Sequence, residues 1–119
     1  MPPLEIQIAT DPVVAGPAAL AQGPVIVVEF AAAIAQHGAA FGRSALDAVE
    51  LMNVGVNYMR EHMPSDARVH YALLDTGGIA PNVVQAHARV RYSIRARDLP
   101  GMNELVERVH KIAQGAALM

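Results

Sequence analysis

The 119-residue chain contains no cysteine and no tryptophan, and its aromatic content is limited to three Tyr and two Phe. Without cysteine there can be no disulfide, no thiolate metal ligand and no thiol nucleophile, a usage that fits a reducing compartment and points to the cytoplasm. Positive charge is missing from the first third: residues 1–41 carry only Glu5, Asp11 and Glu29, and all nine Lys and Arg lie from Arg43 onward. A secretory signal needs a basic start, which this N-terminus lacks. The apolar run 13–35 is a poor membrane span, because Gly16, Pro17, Gln22, Gly23, Pro24 and Glu29 interrupt it within the roughly 20 residues that a span requires. A net charge of −2 supplies no general attraction to nucleic acid or to an anionic membrane. A soluble unit without nucleic-acid or membrane partners is expected.

What is present suits one modest core. Hydrophobic residues make up 53% of the chain, but 22 of them are Ala, so Val, Leu, Ile and Met must supply the bulk. Leu4, Ile6 and Ile8 alternate with Glu5 and Gln7, the period of a half-buried strand. Thr10-Asp11-Pro12 stops it, and residues 13–23, rich in Ala, Gly and Pro, read as a loop. Val25–Phe30 is a β-branched run with strong strand character. For 31–41 the Ala content suits a helix, and an extended segment running into a loop is the alternative.

From Ser44 the pattern is helical. Ser44 with Asp47 resembles a capping box, and Leu46, Val49, Met52, Val56, Met59 and Met63 recur at spacings of three and four. That stripe predicts a helix of about five turns, ended by Pro64. In 68–75, Val69, Tyr71 and Leu73 share a face. In 83–95 the even positions Val84, Ala86, Ala88, Val90, Tyr92 and Ile94 are apolar and the odd ones polar, apart from Val83. The pair predicts a sheet with one packed and one polar face. Thr76–Asn82, with two Gly and a Pro, reads as a wide hairpin loop. Asp98 and Pro100 open a second helix that buries Met102, Leu105, Val109, Ile112 and Ala116.

Three segments are distinctive together: Gly42-Arg-Ser-Ala-Leu-Asp-Ala-Val49, Asp75-Thr-Gly-Gly-Ile-Ala-Pro-Asn-Val-Val84 and Tyr92-Ser-Ile-Arg-Ala-Arg-Asp98. They resemble the lid, or dimerisation, domain of metal-dependent amidohydrolases and peptidases, a family that includes aminoacylases and hippurate hydrolases. The resemblance spans roughly 25–119. It implies an α+β fold: a ferredoxin-like two-layer sandwich with a four-stranded antiparallel sheet and two helices on one face. In that plan a last strand follows the second helix, and here the N-terminal strand 4–9 can take its place by pairing with 25–30. Residues 1–24 are then an extension carrying the added edge strand, and 25–119 the lid-like domain.

The resemblance also implies roles. A His in the Ala-rich loop of the family reaches the partner subunit's active site and bonds the oxyanion of the tetrahedral intermediate. His37 is the candidate here, although it stands closer to Gly42 than the family pattern puts it and the usual Pro is absent. A donor aimed at developing negative charge contributes several kcal/mol to catalysis. Asn82 matches an Asn that helps hold substrate, and Arg95 an Arg that pairs with a substrate carboxylate, for which its planar fork is suited. Plainer readings stand beside these: a solvent-exposed loop His, a loop Asn bonding its own backbone, and a charge on a solvated strand.

No His pair has metal-ligand spacing, and the family's zinc-binding His-x-Asp and Glu-Glu pairs are missing from the sequence. The chain alone is therefore expected to hold no metal or other cofactor and to lack hydrolase activity. Zinc or another divalent metal would belong to the catalytic domain of the parent amidohydrolase or carboxypeptidase. The implied partners are a second copy, forming a homodimer, and that catalytic domain. The alternative is a free-standing ferredoxin-like module that binds a small molecule or a protein and has no hydrolase role.

Overall fold

A computed structural model describes residues 4–10, 25–31 and 44–119. Strands β1 (Glu5–Thr10) and β2 (Val25–Ala31) precede helix α1 (Ala45–Met59), which tightens into a 3₁₀ turn at Arg60–His62. Strands β3 (Arg68–Asp75) and β4 (His87–Arg95) follow, and then helix α2 (Leu99–Leu118). The four strands form one antiparallel sheet in the order β1-β2-β4-β3, the expected α+β arrangement.

Alternation along the strands fixes which face is covered. Ile26, Val28 and Phe30 of β2 sit opposite Tyr92, Val90 and Ala88 of β4, and all six are buried. Val49, Met52 and Val56 of α1 and Leu105, Val109 and Ala113 of α2 complete that layer. Gly55 of α1 faces α2 closely: a Cβ there would lie 2.8 Å from Cγ2 of Ile112. A glycine in mid-helix costs about 1 kcal/mol in propensity, and the close helix approach accounts for its presence.

The N-terminal strand does pair with β2. Ile6 lies opposite Phe30 and Ile8 opposite Val28. Leu4 is buried, and its N–H donates to the Ala117 carbonyl at 3.1 Å, joining the start of β1 to the last turn of α2. Ile6 and Ile8 are only partly buried, since β1 is the outermost strand on that side.

Several expectations need correction. The first helix ends at Met59, not at Pro64, with His62 in the 3₁₀ turn. Strand β4 starts at His87; Val84 is half-buried and Ala86 exposed, because 83–86 belong to the connection that caps α1. On β3 only Val69 is buried, while Tyr71 and Leu73 are 40% and 48% exposed. Alternation assigns these two to the helix side, but it does not say how far the helices extend over an edge strand.

Candidate functional site

Ser44 is the N-cap of α1, and its Oγ accepts from the Asp47 N–H at 3.2 Å. The same hydroxyl donates to Oε1 of Gln85 at 2.6 Å, and the Ala45 N–H donates to the Gln85 carbonyl at 2.9 Å. Gln85 thus ties the β3–β4 connection to the first turn of the helix, where otherwise orphaned N–H groups need acceptors. A shallow cleft of about 250 Å³ opens between them, lined by Ser44, Asp47, Pro81, Asn82, Val83, Val84 and Gln85. Asn82 is exposed on its wall. Its amide makes no hydrogen bond with any described residue.

At the β3 end of this connection, Asp75 organises the turn. One carboxylate oxygen accepts from the Gly77 N–H at 2.8 Å and the other lies 2.9 Å from His87 Nε2. The Gly77 N–H, foremost, holds the Asp75 carboxyl below the usual carboxylate range; desolvation opposes it, and the His87 hydrogen bond and the His87 and Arg89 charges add to the lowering. Gly77 has φ +85°, a region that side chains rarely adopt, and a Cβ there would collide with the His87 carbonyl oxygen.

Arg95 is the last residue of β4 and is exposed on the sheet face away from the helices, opposite Arg68 of β3. Asn82 lies in the connection that leads into the His87 end of β4, and Arg95 stands at the other end. The strand runs from His87 to Arg95, so at ~3.3 Å per residue they are more than about 25 Å apart. One copy of the chain therefore does not bring these two residues to one small ligand. His37 lies outside the described residues.

Among the described residues, no three His, Cys, Asp or Glu side chains are grouped so as to hold a metal ion. No helix among them is long and apolar enough to cross a membrane. Two residues here were not singled out from the sequence. Gln85 reads as one more polar position of a strand, and Asn53 as one polar residue in a helix. Yet Asn53 is buried and accepts a hydrogen bond from the Tyr92 hydroxyl. Burial pushes that hydroxyl well above the ordinary phenol range; neighbouring Tyr71 adds to the shift and Arg60 opposes it.

A two-layer α+β domain whose helix-capping loop and open sheet face present Asn82 and Arg95 is, by sequence, a relative of the amidohydrolases. The chain is 54% identical over 88 residues to one of the subunits of the p-aminobenzoyl-glutamate hydrolase of Escherichia coli (strain K12). The match covers 74% of this chain and 18% of the relative, so the chain spans less than a fifth of that protein's length. A scan against protein-family models finds no match.

Proposed function

We propose that the chain is the dimerisation and substrate-lid domain, residues 25–119, of a metal-dependent amidohydrolase or peptidase, preceded by an extension, residues 1–24, that contributes the edge strand β1. The observation that carries this reading is the outer edge of β3. Its backbone groups facing away from β4 have no strand partner among the described residues, and Tyr71 and Leu73 are left substantially exposed. Folded proteins cover or blunt such edges, and a two-fold axis lets one edge cover its own copy. The relation to a hydrolase subunit supports the enzyme context. Zinc, or another divalent ion, would be held by the catalytic part of that enzyme.

The same pairing answers the separation of Asn82 from Arg95. When β3 pairs antiparallel with its copy, the end of β3 that leads to Asn82 lies beside the Arg68 and Arg95 end of the other copy. Asn82 of one protomer and Arg95 of its partner then serve one substrate, with His37 as the donor toward the oxyanion.

A graft tests this reading. The chain replaces the matched segment of the Escherichia coli relative, and hydrolysis of that enzyme's substrate is measured. Turnover is expected to survive in the graft and to fall at least about tenfold in its Arg95→Gln variant, which forfeits a charge-assisted contact. A folded, dimeric graft without turnover would sink the proposal.

A further inference from the structure

The cross-strand register distributes charge unevenly over the open face of the sheet. Arg89 of β4 sits between Glu29 of β2 and Asp75 of β3, and Arg91 between Val27 and Ala72. Arg95 sits opposite Arg68, and β2 begins at Val25, opposite Ser93, so among the described residues none of β2 stands beside Arg95. Like charges directly opposite on a sheet are destabilising. One end of the face is thus balanced by two carboxylates, and the other end carries two guanidinium groups.

The carboxylates nearest that corner in sequence do not neutralise it. Asp98 is used as the N-cap of α2, accepting from the Gly101 N–H at 2.8 Å, and Asp66 makes no ion pair with either arginine. Arg68 is held in place by one nitrogen, Nη1, which donates to the Ser65 and Ala67 carbonyls at 2.6 and 2.7 Å. The rest of its fork makes no hydrogen bond or ion pair with any described residue. Arg95 makes no hydrogen bond or ion pair with any described residue. His70 and Ser93, the next pair on the same face, supply further polar groups.

We propose that Arg68 and Arg95 together form a site for a dicarboxylate, one guanidinium for each carboxylate, and that Arg68 is the residue that selects acidic substrates over those with a single carboxylate. This rests on the reading of Arg95 as the substrate-carboxylate residue and adds the second charge. Two arginines whose Cβ atoms are about 5 Å apart can each take one carboxylate of a pair joined by a short aliphatic spacer, whereas a dianion with one charged centre offers no second carboxylate.

The test is an amide NMR titration of the full chain with glutarate, acetate and sulfate, repeated on Arg68→Gln. Glutarate is expected to shift the amides around Arg68 and Arg95 and to bind about threefold or more tighter than acetate or sulfate, the size of an added exposed ion pair. Arg68→Gln should bring glutarate down to the level of acetate. Equal binding of glutarate and acetate, equal binding of glutarate and sulfate, or a preference that survives Arg68→Gln overturns the proposal. The grafted enzyme reports separately on the lid reading: an active graft beside a chain with no glutarate preference removes only the role of Arg68.

Discussion

Tyr92 of β4 donates its hydroxyl hydrogen to Oδ1 of Asn53 on α1, beneath a layer from which water is excluded. Each group satisfies the other, and the bond fixes how the helix sits over the central strand. Tyr92→Phe leaves the Asn53 oxygen without its donor, which costs about 1–3 kcal/mol. Thermal unfolding should show the loss, and Tyr92→Phe combined with Asn53→Leu should recover part of it.

Gly77→Ala places a methyl group against the His87 carbonyl in a backbone region that disfavours it. A penalty of at least about 1–2 kcal/mol is expected. Urea denaturation provides the measurement. Gly78→Ala, where an added Cβ meets nothing within 4 Å, separates the backbone penalty at a positive φ from the collision.

Asp75 sets a pH dependence with a definite sign. Its folded-state pKa is depressed, so its contribution is fully present above the unfolded value of about 3.9 and is lost as pH falls through the lower folded value. Carboxyl NMR should give a midpoint below about 3.9 for this residue. Asp75→Asn should lower stability near neutrality, where the carboxylate contributes fully, and flatten the stability profile in that acid window.

Leu73→Lys tests the edge of β3. Leu73 is 48% exposed in one copy, so the substitution is mild for a monomer but places a charge in a paired edge. Light scattering should find the parent chain at twice its 12.6 kDa mass and the variant at the monomer mass, with similar melting temperatures. A parent that stays monomeric at high micromolar concentration removes the dimer from the proposal.

A chain starting at Gly23 lacks β1 and exposes the β-branched edge of β2. Leu4 is buried, and Ile6 and Ile8 partly so, which corresponds to a loss of about 3 kcal/mol and a melting temperature lower by roughly 10 °C. Equal melting of the two chains would show β1 to be dispensable.

The sequence made legible whatever depends on period and punctuation. The alternation of Leu4, Ile6 and Ile8 marked β1, its pairing with β2 was expected from the last strand of the resembled plan, and Ser44 and Asp98 marked both helix starts. What it left unread depends on neighbours brought close by folding. Nothing in the order of residues says that Gln85 leaves the strand to cap α1, that Asn53 meets a tyrosine hydroxyl, or that the helices stop short of Tyr71 and Leu73. The positions of Asn82 and Arg95 in chain order were equally clear, yet their placement toward opposite ends of β4 emerges only once that strand is laid out straight.

The hydrogen bond from Leu4 to Ala117 bears on the order in which the molecule can form. Strand β1 leaves the ribosome before α2, but the residue that leads into it, Leu4, is secured by the final turn of α2, at the other end of the described chain. Contacts so distant in sequence are slow to close. Until α2 is complete, β2 is the main described element that holds β1, and the nascent chain carries a loosely attached strand. Synthesis thus passes through a stage open to pairing between chains, and only the closing turn of α2 ends it.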